Sequence, residues 1–187
     1  MSDHILTYHE IKREEIPRSA EIVFRAFNQA AERENYPKTP SIEPVTTRLT
    51  EYLDDKGIPG LLYGGYVDGV QVGFFMLRKL GIDEETWEIS MLSVDPEYQG
   101  QGYGARLLER ALQKILDLKG VLAVAAVMER STHVLTMLAN HGFTCEASGV
   151  PVGQDLSIWM LHKDMKNAAA ASCSPESCEG CSGGCAG

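Results

Sequence analysis

Gln99-Gly100-Gln101-Gly102-Tyr103-Gly104-Ala105 sets three glycines at alternate positions between a strand-like and a helix-like segment. Glycine lets the backbone turn its N–H groups toward a common centre. Such a nest at a helix N-terminus, with the positive end of the helix dipole behind it, suits a pyrophosphate. Eleven residues before Gln99 stands Glu88, a carboxylate in a segment otherwise rich in apolar side chains. A carboxylate so placed is of the type that serves as a general base. Far downstream, Cys173, Cys178, Cys181 and Cys185 form a C-x4-C-x2-C-x3-C run whose thiolates could hold a metal.

The elements that must position these groups follow from periodicity. Trp87-Glu88-Ile89-Ser90-Met91-Leu92-Ser93-Val94 reads as a buried strand ended by the Asp95-Pro96 turn signal. Leu107, Leu108, Ala111, Leu112, Ile115 and Leu118 then recur on one helical face over about 103–118. Upstream, residues 3–9 read as a strand and 14–33 as a helix whose apolar face is Ile16, Ala20, Val23, Phe24 and Phe27. Pro17 fits the first turn of that helix. Tyr36–Pro40 is a loop and 43–55 a second helix. Leu61–Val67 and Val70–Leu80 flank Asp68-Gly69, a strong hairpin signal. Val121–Met128 is a continuous apolar run, expected to be a strand buried on both faces. A helix over 132–140, stopped by Gly142, and strands at Phe143–Ala147 and Leu156–His162 close the pattern.

Gln99-x-x-Gly102-x-Gly104 resembles the Gln/Arg-x-x-Gly-x-Gly/Ala signature of the GNAT N-acetyltransferases, and the run from Glu88 to Gly104 follows that family's central motif without a gap. A dinucleotide-binding reading fails on spacing, because the loop lacks Gly-x-Gly-x-x-Gly and follows several elements instead of opening the fold. The resemblance covers about residues 3–163 and is sharp in 86–144. It implies an α/β (α+β) fold, with a mixed, mostly antiparallel sheet flanked by helices and acetyl-CoA bound where two central strands splay. It further implies acetyl transfer to a primary amine by direct attack in a ternary complex. In this sequence the cofactor contacts would come from Leu92, Ser93 and Val94, from Gln99, Gly100, Gln101, Gly102, Tyr103, Gly104 and Ala105, and from Ser131.

Glu88 matches the glutamate that serves histone-modifying members as general base. Strand alternation puts Glu88 and Val94 on one face, and partial burial beside Trp87 and Ile89 would raise its pKa. The competing reading is a carboxylate that satisfies a backbone group or lines the cleft. Aligning on Gly142-Phe143 places Leu138 where many members carry a Tyr general acid, with Ser131, Val134 and Met137 at the Asn, Ala and Leu places. Either the thiolate, with a pKa of about 8.5, leaves unassisted, or the domain binds acetyl-CoA without turnover. Tyr103, His133 and His141 are the candidate substitutes. Ser131 is also a good helix N-cap. Arg130 and Glu129 either meet a CoA phosphate and an acceptor amine or are ordinary loop charges. Cys145, in a late strand, reads as a core residue and Trp159 as strand packing.

The chain has 187 residues, 44% hydrophobic, enough for one domain with a proper core. A net charge of −9 argues against nucleic acid and favours a cationic partner. Asp54-Asp55 and Asp83-Glu84-Glu85 are either solvated charge or an acidic rim that attracts a protonated amine. No apolar run approaches the roughly 20 residues that cross a bilayer, and Met1–His4 lacks a secretory pattern. The expectation is therefore a cytoplasmic protein with no membrane partner, acting on a small-molecule amine or peptide amine. A homodimer is compatible with the sequence, though no feature specifies one. Residues 1–166 form the expected transferase domain and 167–187 a flexible Cys-rich tail. The tail is a metal- or thiol-reactive segment, a defined site for zinc or another thiophilic metal, or an incidental extension. The alternative function is a non-enzymatic acetyl-CoA or metal/redox sensor using that tail.

Overall fold

Alternating apolar residues in the strands and 3.6-residue spacing in the helices resolve into one sheet with a helical layer on each face. A computed structural model of the chain describes residues 5–54, 60–81, 85–153 and 156–166. The strands are β1 (Leu6–Glu10), β2 (Gly60–Val67), β3 (Val70–Leu80), β4 (Thr86–Val94), β5 (Leu122–Met128), β6 (Thr144–Gly153) and β7 (Leu156–Asp164). The helices are α1 (Ile16–Glu34), α2 (Glu43–Asp54), α3 (Tyr103–Asp117) and α4 (Thr132–Asn140). The order is the expected one. Tail residues Cys173, Cys178, Cys181 and Cys185, the boundary after 166, and Asp55, Asp83 and Glu84 of the acidic clusters lie outside the described residues.

The seven strands run in the order β1-β2-β3-β4-β5-β7-β6. Every pairing is antiparallel except β4 with β5, which is parallel. The β2–β3 hairpin turns on Asp68 and Gly69, with φ of 50° and 78°, as a two-residue loop matched to strand twist requires.

On one face α3 buries Leu107, Leu108, Ala111 and Ile115 against Phe75, Leu77, Trp87 and Ile89 of the sheet, with Leu138 of α4 in the same cluster. On the other face Ile16, Ala20, Ile22 and Val23 of α1 and Leu49 of α2 cover Leu62, Phe74 and Met76. Two paired glycines set how closely α3 sits. A Cβ at Gly65 or Gly73 would stand 2.9 or 2.8 Å from a Leu107 methyl.

Four expectations change. Phe27 is 40% exposed, because the inward stripe of α1 runs through Ile16, Ser19, Ala20, Ile22, Val23 and Ala31. β5 is fully buried on one face only; Ala123, Ala125 and Val127 are buried, whereas Leu122, Val124 and Met128 are half-buried and Ala126 is exposed. Cys145 is exposed instead of being a core residue, because it lies on β6, the edge strand. β6 is also longer than expected and irregular, with three register shifts against β7, Pro151 within it and Gly149 at φ 66°.

Candidate active site

The sheet opens in its middle. β4 and β5 pair over only three positions, Thr86 with Leu122, Trp87 with Ala123 and Glu88 with Val124. Beyond these, β4 stays paired to β3 as far as Val94 and β5 to β7 as far as Met128. The two strands therefore diverge with unmatched edges facing each other. A β-bulge marks the place: Met76 pairs with Met91 and Leu77 with Ile89, which leaves Ser90 as the extra residue. A bulge bends its strand and increases the local twist, and here it begins just past the last β4–β5 pair.

The bulge overturns one expectation from alternation. Ile89 and Leu92, three apart, both pack in the α3-side cluster, and so does Val94, whereas Met91 packs on the α1 side. The extra residue inverts the parity, so Glu88 and Val94 project from opposite faces. Glu88 itself alternates away from Trp87 and Ile89 and is partly buried on the opposite face. Its Oε2 accepts from Arg78 Nε at 2.9 Å and from the terminal guanidinium nitrogen at 2.7 Å, and the side chain is 16% exposed. It sits at the closed end of the opening, on the α1–α2 side.

Strand alternation also divides the three residues at the upper end of β4. Asp95 N–H donates to the Val72 carbonyl at 2.9 Å, so the Ser93 N–H, two residues earlier, faces β3 as well. The N–H groups of Leu92 and Val94 face the opening. Gln99 Nε2 donates to the Val94 carbonyl at 3.0 Å, which closes that end of the edge and fixes the start of the glycine loop.

The loop is prepared by Asp95, a carboxylate with no exposure. Asp95 Oδ1 accepts from Glu97 N–H at 3.1 Å, and Oδ2 accepts from Arg18 of α1 at 2.5 Å, with Arg25 at 3.4 Å. One 3₁₀ turn over Pro96–Tyr98 follows. Gly100 and Gly102 then take φ of 75° and 81°, which favours glycine. Gly102 occupies the N-cap of α3 without a side-chain cap. Among the described residues, the N–H groups from Gly100 to Ala105 have no acceptor. Six consecutive open donors on a helix N-terminus fit a pyrophosphate. Tyr103, by contrast, is 6% exposed and packs in the core near Tyr98.

Ser131, Arg130 and His133 gather at the end of β5, but not as foreseen. Ser131 is the N-cap residue of α4 without a side-chain cap bond; its hydroxyl donates to Glu34 of α1. Arg130 N–H donates to the Tyr36 hydroxyl at 2.6 Å and its guanidinium to the Asn35 carbonyl at 3.0 Å. Glu34 and Tyr36 were missed because their partners lie 94 or more residues away, with no local signal. His141 Nδ1 lies 2.7 Å from the Met137 carbonyl, and Leu138 is 3% exposed in the core. Trp159 packs against the α3-side cluster. Among the described residues no group of three or more His, Cys, Asp or Glu is placed to hold a metal, and no helix is long and apolar enough to cross a membrane.

The sequence profile described as "Acetyltransferase (GNAT) family" matches residues 23–143, more than half of the chain. Among solved structures, spermidine N-acetyltransferase from Vibrio cholerae in complex with CoA and spermine aligns at 15% identity and a TM-score of 0.69, covering 86% of this chain and 96% of that one. PaiA N-acetyltransferase from Thermoplasma acidophilum in complex with coenzyme A aligns at 16% identity and 0.66, over 86% and 99%. The ribosomal-protein-S18-alanine N-acetyltransferase from Escherichia coli aligns at 14% and 0.67, over 86% and 94%. At these identities the likeness is one of fold. No curated protein matches.

Proposed function

The chain belongs to the GNAT acetyltransferase family, and from that premise we propose that it transfers the acetyl group of acetyl-CoA to a primary amine by direct attack in a ternary complex. The observation that carries the reading is the open β4 edge leading straight into the unpartnered N–H groups of Gly100–Ala105. An extended chain with amide groups can pair with such an edge as an added strand does, and a pyrophosphate can rest on the loop. Acetyl-CoA supplies an acetyl group already activated as a thioester.

The residues of this chain do the remaining work. The N–H groups of Leu92 and Val94 point into the opening and stabilise negative charge that develops on a carbonyl oxygen there, since they are oriented before reaction. Ser93 contributes through the β3 ladder that holds this edge straight. Gly100 to Ala105 hold phosphate oxygens, and Gln99 fixes the loop through the Val94 carbonyl. Glu88 accepts the proton of the amine through Oε1 or a bridging water, while Arg78 holds Oε2. In this reading none of the candidate substitutes serves as the acid: Tyr103 is buried, His141 Nδ1 lies against the Met137 carbonyl, and His133 stands beside Arg33 and Glu34. The thiolate accordingly departs without a protein acid, as its ordinary pKa permits.

The acceptor is a small amine or a peptide amine. Proteins of this fold include enzymes named for spermidine and for the alanine of ribosomal protein S18, so both classes belong in the assay. CoA release, followed chromatographically across polyamines, amino acids and peptides, tests the reading. Release with one amine class that is lost in Glu88→Gln supports it. Acetyl-CoA binding without release from any amine overturns it.

A further inference from the structure

Where the C-terminus of α1 meets the turn between β5 and α4, Arg33, Glu34, Arg130, Thr132 and His133 line an open cavity of ≈ 380 Å³. Its acid is already occupied. Glu34 is 6% exposed; one oxygen accepts from Ser131, the other from Arg33 at 2.6 Å, and His133 Nδ1 stands 3.5 Å away. Burial alone would raise the Glu34 pKa, but the hydrogen bonds from Ser131 and Arg33 and the charges of Arg33 and His133 hold it below the usual carboxylate range. Burial, then the neighbouring Arg33 charge, lowers the His133 pKa against the opposing pull of Glu34. The imidazole is therefore biased toward its neutral form.

Arg130 is different. Its guanidinium meets only the neutral Asn35 carbonyl and the Tyr36 ring, 5.4 Å from the centroid, and pairs with no carboxylate among the described residues. Its backbone is pinned by the Tyr36 hydroxyl, so the base of the side chain is held at the cavity. With Glu34 cancelled by Arg33, the lining carries about one net positive charge in a chain of net charge −9. Two guanidinium forks beside an imidazole biased toward its neutral form repel an ammonium group and match the planar oxygens of an oxyanion.

We propose that this cavity is an anion subsite, taking a carboxylate or phosphate group on the guanidinium groups of Arg33 and Arg130. Two sources share that chemistry: a carboxylate carried by the acceptor, and a phosphate on the nucleotide end of acetyl-CoA. Choosing between them rests on the acetyltransferase reading; binding of a bare oxyanion does not.

The first arm of the test follows the His133 ring by NMR pH titration in the full chain, with and without inorganic phosphate or acetate. Either anion bound beside His133 raises its midpoint in the wild type, and the rise is absent in Arg130→Ala and Arg33→Gln variants that keep the native melting transition. The second arm compares acetyl-CoA with 3′-dephospho-acetyl-CoA by calorimetry, and a carboxylate-bearing amine with its carboxamide by kinetics. Loss of one charge-assisted contact is worth about tenfold or more. If the nucleotide supplies the phosphate, removing it weakens wild-type binding by about that factor and leaves Arg130→Ala unaffected. If the acceptor supplies the carboxylate, Arg130→Ala raises KM about tenfold for the carboxylate and not for the carboxamide. A His133 midpoint unmoved by both anions, or moved equally in the folded variants, overturns the subsite. A positive first arm with no acetyl-CoA binding keeps the subsite and removes the acetyltransferase reading.

Discussion

Asp95→Ala should destabilise the protein by about 3 kcal/mol. The carboxylate has no exposure and meets Glu97 N–H at 3.1 Å and Arg18 at 2.5 Å. Losing a side-chain cap on a backbone N–H costs about 1 kcal/mol. Breaking a fully buried ion pair costs about 3–5 kcal/mol. Arg18, however, is 32% exposed and keeps Glu21 at 2.9 Å, so screening reduces that share to about 2 kcal/mol. Asp95→Asn keeps an acceptor for Glu97 N–H and loses only the charge, so it should cost about 2 kcal/mol. Urea denaturation of the three proteins measures both values, and melting should fall by roughly 6–12 °C for Asp95→Ala in a chain of this size. A loss under about 1 kcal/mol for Asp95→Ala, with an unchanged denaturant slope, would refute the claim that this carboxylate anchors the loop to α1.

Gly102→Ala forces a side chain into φ 81°, although its Cβ would meet no atom within 4 Å; it should cost about 1 kcal/mol in stability and weaken acetyl-CoA binding, measured by calorimetry. Gly73→Ala should behave oppositely: its Cβ would stand 2.6 Å from the Ser93 carbonyl oxygen, destabilising by about 1–3 kcal/mol with acetyl-CoA affinity kept in the folded fraction. Glu88→Gln keeps an oxygen for Arg78, so melting should hold while kcat falls roughly 10²-fold or more; an unchanged kcat would reduce Glu88 to a structural ion pair. His133 should titrate below its ordinary value, because burial and Arg33 oppose its protonation. The unfolded chain then takes up the proton first, so stability is lost as pH falls from about 6.5 toward the folded midpoint. Arg33→Ala should raise that midpoint and Glu34→Gln lower it, both read by NMR.

Local patterns were enough to locate most of this molecule. The hairpin at Asp68-Gly69, the α3 stripe from Leu107 to Ile115 and the loop from Gln99 to Ala105 each have a signal within a few residues, and each stands where that signal puts it. The bulge at Ser90 has none. Trp87–Val94 reads as uninterrupted alternation, and only pairing with β3 reveals the extra residue that turns Glu88 away from Val94. The bond between Ser131 and Glu34 spans 97 residues, so no spacing rule could find it. Exposure at Cys145 and Ala126 was hidden for a related reason. Residue type reports a preference for burial, whereas the number of layers over a strand is decided by the whole topology.

The last strand of the sheet carries one more consequence. A regular edge strand offers a row of open N–H and C=O groups on which another chain can zip itself, the route to fibres and to uncontrolled association. β6 offers only a broken row: its pairing slips at three places, Pro151 lacks a donor and Gly149 bends the backbone at φ 66°. These irregularities disfavour further growth of the sheet by strands added at this end. An edge of this kind disfavours association through a backbone ladder and leaves contacts there to side chains.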